Sequence, residues 1–298
     1  MCINKNTLYK FFNIINESSI DFYDTKEEKY KYIIKDFLKS IDAKTNFENI
    51  LSVLQDKQIM NEIDYNCEKS VEFCNVNNVD VLSILDENYP KKLKNIERPP
   101  YLIFVKGNFD RKKLRDSFAI VGTRKPSESG IEFCENISKY VASKKYLNIS
   151  GLARGCDTIG HRICIKNTAA ILGYGLAQNI YPKENEILFE EIVSNNGFIV
   201  SENLPYDTIN IRNLIDRNRI ITALSDNLII AETSLKGGSV HTFKFAKKQN
   251  KNIFINKSCE DFIEKYKKHL MIIDNDKDLE NKLNLLKMKK MKQKNMFQ

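Results

Sequence analysis

The stretch Phe118-Ala-Ile-Val-Gly-Thr-Arg-Lys-Pro-Ser-Glu-Ser-Gly130 carries the reading of the fold. Its apolar run, Phe118 to Val121, stops at Gly122 and gives way to small, polar and basic residues. Beyond it, Ile131 to Val141 repeats apolar residues at helical spacing. That order predicts a strand, a tight turn and a helix N-terminus. The amides of a first helical turn lack partners within the helix, and the dipole favours negative charge there, so the junction reads as an anion site. Gly122 lets the backbone come close, and Arg124 supplies a planar fork of donors matched to a phosphate. The turn is neither G-x-G-x-x-G nor G-x-x-x-x-G-K-[ST], so no dinucleotide fingerprint and no P-loop is read. A phosphorylated ligand is expected at this turn.

Outward from it, strand and helix patterns alternate. Strands are expected at 101–107, 118–122, 146–150, 168–173, 197–201, 227–232 and 252–255, with helical segments after 118 lying between them. Short, nearly continuous apolar strands imply a sheet covered on both faces, hence a doubly wound, mostly parallel α/β domain. Ligands of such folds bind beyond the carboxyl ends of the strands. The polar clusters fall there: Ser150-Gly-Leu-Ala-Arg-Gly-Cys-Asp157, Gly173 to Asn185, and Glu232-Thr-Ser-Leu-Lys-Gly-Gly-Ser239. A fourth cluster, Arg212 to Ile221, opens the helix before the strand at 227.

The first hundred residues have helical character. Leu8, Phe11, Phe12 and Ile15 make one helix face, Glu27–Ile41 fits a second helix and Phe47–Ile63 a third. No Gly or Pro occurs before Pro90, and three of the six prolines then fall between Asn88 and Pro100. The expected domains are a helical unit over 1–87, an α/β domain over 88–258, and a short, helical, Lys-rich tail over 259–298 with no clear winged helix.

The net charge of +8 is unevenly spread. Residues 1–100 carry 14 basic and 17 acidic side chains, whereas 281–298 carry six lysines and no acid. Much of the excess therefore sits in the tail, and the case for a polyanionic ligand rests on local sites. No apolar run approaches the roughly 20 residues that span a bilayer, and no secretory leader is seen, so a cytoplasmic protein without membrane association is expected. The seven cysteines form no C-x-x-C pair and read as reduced thiols.

Several of these motifs together resemble the DNA-processing protein A family (DprA, also called Smf). They are Gly-Thr-Arg at 122–124, Ser-Gly-Leu-Ala-Arg-Gly-x-Asp at 150–157 with His161, Tyr-Pro-Lys-Glu-Asn at 181–185, Ser-Glu at 201–202, Arg-Asn-Arg-Ile-Ile at 217–221 and Gly-Gly-Ser-x-x-Thr at 237–242. The match runs over about residues 88–255. The resemblance implies an extended Rossmann-like domain that binds single-stranded DNA, often as a homodimer, and assists loading of a RecA-type recombinase on DNA taken up in natural transformation. It implies no cofactor and no catalytic reaction. The chain departs from the family where Asn210 to Ile215 replaces a usual Phe-Pro, and where Asn256-Lys257 replaces a usual Pro-Gly.

The candidate DNA- or phosphate-binding set is Gly122, Thr123, Arg124, Ser150, Gly151, Arg154, Gly155, Lys183, Arg212, Arg217, Asn218, Arg219, Gly237, Gly238, Ser239 and Thr242. Arg154 leaves two readings open, a phosphate contact or a buried ion pair with Asp157. Arg217 and Arg219 point to different helix faces, so at most one is expected in the groove. Gly237 to Thr242 suit an anion nest or plain helix capping. Tyr174 and Tyr181 stack bases or pack the rim. Cys156, Asp157 and His161 tempt toward a nucleophile–base set, but the i, i+4 spacing of Asp157 and His161 favours a structural role, and the three histidines are too scattered for a metal site. A single-stranded DNA-binding protein is the leading reading. The alternative is a nucleotide-binding enzyme or sensor of the related phosphoribohydrolase class, whose Pro-Gly-Gly-x-Gly-Thr-x-x-Glu signature is incomplete at Leu235 to Phe243.

Overall fold

The computed structural model describes residues 68–84 and 86–296. The helices expected at 8–15, 27–41 and 47–63 lie outside the described residues. The chain divides into two units, Met1–Tyr89 and Pro90–Gln298. In the first, residues 68–76 are helical and Val79–Ser83 forms strand β1.

The second unit opens with a one-turn helix, α1 (Lys91–Lys94), and then strand β2 (Leu102–Gly107). Strands β3 (Ser117–Val121), β4 (Leu147–Ser150), β5 (Thr168–Leu172) and β6 (Phe198–Ser201) follow. Helices α2 (Glu128–Ser143), α3 (Cys156–Ile163) and α4 (Glu186–Ser194) connect them. After β6 come α5 (Ile211–Asp216), α6 (Asn218–Leu224), β7 (Asn227–Ile230), α7 (Ser239–Lys248) and β8 (Asn252–Asn256). The chain ends in α8 (Glu260–Tyr266), β9 (Met271–Ile273) and α9 (Asp276–Met296).

Within this unit the strands lie in the order β2-β6-β5-β4-β3-β7-β8-β9. All neighbours are parallel except β2 with β6. Every residue of β3 to β7 is buried, because helices cover both faces, and the continuous apolar runs are the trace of that burial. From β3 the chain winds outward through β4, β5 and β6. It then returns to lay β7 against the free side of β3, with Phe118 opposite Asn227 and Val121 opposite Ile230. The topology therefore reverses between β3 and β7, which opens a crevice beyond their carboxyl ends.

α2 is amphipathic. It buries Phe133, Cys134, Ile137, Tyr140 and Val141 against β3, and Ser127 caps it by accepting from the Gly130 amide at 3.1 Å. The chain beyond 258, expected as a short helical tail, also supplies a strand. β9 pairs with β8, and Leu279 and Leu283 anchor the first turns of α9 in the same core as α2. Three residues of strand give too short a pattern to be read from periodicity. The lysines of the tail ride on a continuous helix.

Candidate nucleic-acid interface

Three loops meet at the crevice. The turn after β3 and the segment after β7 are tied together past the strand ends, the Ala231 amide donating to Val121 O and the Thr123 amide to Glu232 O, each at 2.9 Å. The loop after β4 docks beneath them. Gly155, at φ 72°, sits so close that a Cβ there would lie 2.8 Å from the carbonyl carbon of Arg124. The Cys156 amide then donates to Thr123 O at 3.3 Å, and Gly122 packs on the Cys156 side chain.

The loop Gly151–Arg154 is braced from below. Asp157 Oδ2 accepts from the amides of Gly151 (2.9 Å) and Ala153 (3.3 Å), and His161 Nε2 accepts from Leu152 (3.3 Å). Asn185 Nδ2 donates to Leu152 O at 2.9 Å, and Thr158 Oγ1 donates to Ala153 O at 2.8 Å. Asp157 and His161 thus do not bond each other; each holds a different amide of the same loop. His161 Nδ1 is 2.7 Å from Thr168 Oγ1, which is consistent with a neutral ring that donates there and accepts from Leu152. Burial, and then the nearby Arg217, pull its pKa down to about 3. The Cys156 thiol is pushed well up, first by its contact with Cys134 and then by burial. A buried neutral imidazole and a buried protonated thiol form no nucleophile–base pair.

With the amides of Gly151, Leu152 and Ala153 engaged, the side chains around them supply further donors. Arg217 is 6% exposed. Its Nη1 donates to Gly151 O at 2.6 Å and to Ile171 O, and its Nε donates to Asn218 Oδ1 at 3.1 Å. Burial lowers its pKa while Asp157 supports the charge; Asp157 is in turn raised by burial and lowered by Arg217. Arg217 lines a pocket together with Arg124, Arg154, Tyr181 and Leu214, floored by Gly151 and Ala153. Arg124 and Lys183 are exposed, and among the described residues neither has an ion pair. Arg154 is exposed too, and forks onto Glu184 through Nε (3.2 Å) and Nη2 (2.8 and 3.1 Å) rather than onto Asp157. Tyr174 is buried and clamps Tyr181 through both backbone groups, at 2.9 and 3.1 Å, and Tyr181 itself is 41% exposed at the rim.

The remaining candidates stand apart. Arg219 is 6% exposed and grips Glu202 through Nη1 (2.6 Å) and Nη2 (2.5 Å), while its Nε donates to Arg98 O. It faces away from Arg217, as the two-residue spacing implies. Arg212 is exposed and lies 4.0 Å from Asp216. Ser150 Oγ is buried and donates to Ile120 O at 2.7 Å. Ser239 Oγ lies 2.6 Å from Thr233 Oγ1, and Ser239 and Thr242 are buried, whereas Gly238 is exposed. The anion site expected at the start of α2 is filled from within: Glu232 Oε2 accepts from the Ser127 amide at 2.9 Å and lies against Gly130. Neither Asn185 nor Glu232 is given a role by the sequence: Asn185 appears only as the last residue of the Tyr-Pro-Lys-Glu-Asn motif at 181–185, and Glu232 only at the head of a polar cluster.

An open, mostly parallel α/β sheet with arginines gathered at its switch point is a Rossmann-like domain. The family model for DNA recombination-mediator protein A matches residues 80–275, and the chain belongs to that family. It is 34% identical over 175 residues to protein Smf of Synechocystis sp., covering 57% of this chain and 44% of that protein. It is likewise 34% identical over 175 residues to DNA processing protein DprA of Streptococcus pneumoniae, covering 58% of this chain and 61% of that one. The chain therefore spans roughly half the length of these relatives. The solved Streptococcus pneumoniae DprA matches with a TM-score of 0.72 at 23% identity, over 94% of this chain and 98% of that chain. A structure describing the single-stranded DNA binding mode of DNA processing protein A from Helicobacter pylori matches at 0.62 and 27% identity, over 69% and 95%. Among the described residues no helix is long and apolar enough to cross a membrane.

Proposed function

We propose that this chain binds single-stranded DNA along the carboxyl edge of its sheet, as a cytoplasmic, non-enzymatic mediator of recombination. One observation carries the reading: Arg124, Arg154 and Arg217 converge on one pocket whose floor, Gly151–Ala153, has its amides already engaged. Guanidinium groups over a floor whose amides are engaged suit a run of phosphates that carries no sequence information. Lys183 extends the positive track, and the exposed Tyr181 ring offers a stacking face for a base. The Helicobacter relative's single-stranded DNA binding supports the same ligand here. The absence of a competent thiol or imidazole in the loop supports a binding rather than a catalytic role. Assisting a RecA-type recombinase, and acting as a homodimer in transformation or recombination, are the finer parts of this proposal and rest on family membership.

The test is binding of a labelled oligonucleotide of about 30 nucleotides, single- against double-stranded, at two salt concentrations, for wild type and Arg124→Ala. Preference for the single strand is expected, with log K falling by roughly 0.7 per phosphate contacted for each tenfold rise in salt. Arg124→Ala should weaken binding and flatten that slope. A silent Arg124 change would remove this edge as the DNA site.

A further inference from the structure

Four helices of the second unit pack side by side in the order α4, α3, α2, α9. The two outer ones carry opposite charge. α4 buries Leu188, Phe189 and Ile192 and turns Ile187, Glu190 and Glu191 the other way, all three exposed. With Glu186 it holds three acids and no base, and among the described residues none of the three has an ion pair. α9 has two apolar stripes where one suffices to hold it. Leu279, Leu283 and Leu286 face the core it shares with α2. Leu285, Met288 and Met291, three residues apart, turn to the opposite side and are exposed. Lys287 and Lys289 beside them are exposed as well, without an ion pair among the described residues. Residues 281–298 hold six lysines and no acid. Single exposed apolar residues are ordinary, but a row of three on one side of a helix marks a surface that something covers.

Charge decides what covers it. A second α9 would set lysines against lysines. A bilayer offers anionic groups, but three side chains bury less apolar surface than a single acyl chain, whose anchoring is itself marginal. α4 offers carboxylates around one exposed apolar side chain. We propose that α9 of one copy of this chain docks on α4 of the next, with Leu285, Met288 and Met291 against Ile187, and Lys287 and Lys289 facing Glu190 and Glu191. The flexible methionines adapt to a partner of this kind. The contact is heterologous, unlike that of a symmetric dimer, so it repeats from copy to copy and extends the row of helices as an open array. It shares no residue with the pocket of Arg124, Arg154 and Arg217 and needs no DNA, so it stands or falls apart from the DNA-binding proposal.

The experiment is sedimentation equilibrium of the full chain without DNA, over a concentration series at about 25 and about 150 mM salt. Association that grows past a dimer is expected, with a Kd of about 0.1 mM at the lower salt, as suits a small contact, and severalfold weaker at the higher. Lys287→Glu with Lys289→Glu, and separately Glu190→Lys with Glu191→Lys, should each weaken it at least about tenfold, because like charges then meet. An equimolar mixture of these two double variants should restore it, because each α9 then finds an α4 of opposite sign. All four positions are exposed, so each variant should melt with wild type. A single size up to about 0.5 mM at the lower salt overturns the proposal. So does growth that stops at a dimer, growth that Glu190→Lys with Glu191→Lys leaves intact, or a mixture that stays dissociated. A chain that keeps one size yet sediments with phosphatidylglycerol vesicles assigns the stripe to a bilayer instead.

Discussion

The guanidinium of Arg217 lies against the Cα of Gly151 and donates to that residue's carbonyl at 2.6 Å, so the first glycine of the loop after β4 is the seat of a buried cation. A methyl group on Gly151 would coincide with the guanidinium. An arginine end can swing away, but the carbonyls of Gly151 and Ile171 would then be buried without that donor. Gly151→Ala should therefore cost roughly 2–4 kcal/mol in urea unfolding and weaken single-stranded DNA binding about tenfold. A variant as stable as wild type would show that the seat is not needed.

Arg154 is held by Glu184, and both side chains are exposed. A phosphate has to compete with that carboxylate for the same fork of donors. Glu184→Gln should raise affinity for the 30-nucleotide strand about two- to fivefold at low salt, while Arg154→Ala lowers it. Thermal melting should be nearly unmoved by Glu184→Gln. A loss of affinity in that variant would mean that the pair positions Arg154 rather than restrains it.

Arg219 and Glu202 form an inward pair with no part in the groove, side-chain exposures being 7% and 22%. Removing the cation leaves a carboxylate in a poorly solvated place, so Arg219→Met should destabilise by about 2–4 kcal/mol. The double variant Arg219→Met with Glu202→Met should recover part of that loss. DNA affinity, measured where both proteins are folded, should be unchanged. The contrast with Arg217, two residues earlier, is measured by running both in one binding series.

His161 is neutral in the folded chain down to about pH 3, against an ordinary value of 6.5. Between those values the unfolded state binds the proton and the folded state does not, so stability is lost as pH falls from 6.5 toward 3. The slope from this residue is roughly 1.4 kcal/mol per pH unit well inside that window. His161→Gln keeps a donor and an acceptor for Thr168 and Leu152 but does not titrate. Its urea midpoint should fall less steeply with acid than that of wild type; parallel curves would place the acid sensitivity elsewhere.

The strands were legible because each is a short apolar run closed by a polar cluster, and Gly122 marks one such end sharply. β1 and β9 were not: Val79–Ser83 lies in a stretch expected to be helical, and Met271–Ile273 is shorter than any pattern that period can establish. The exposed place of Arg124 at the turn was legible because a strand–turn–helix junction exposes whatever it carries. Arg154 was not decidable: its partner, Glu184, lies 30 residues away, whereas the tempting Asp157 is its near neighbour. The two-residue spacing already separated Arg217 from Arg219; which of them goes under Gly151 and which to Glu202 is decided only by the packing at the start of α6. The bracing of the loop by Asp157, His161 and Asn185 depends on which amides and carbonyls the folded loop turns inward, and no spacing records that.

Glu232 reaches across 105 positions to the first turn of α2 and sits where a cofactor's pyrophosphate would berth in a dinucleotide-binding relative of this sheet. The helix thus arrives with its own counter-anion installed. On the proposed reading, a free dinucleotide would find that berth taken, while a polymer would pass along the flank, arginine by arginine. One carboxylate would thus turn a socket into a track, and Glu232→Gln is the change by which that track would begin to accept a passenger that stops.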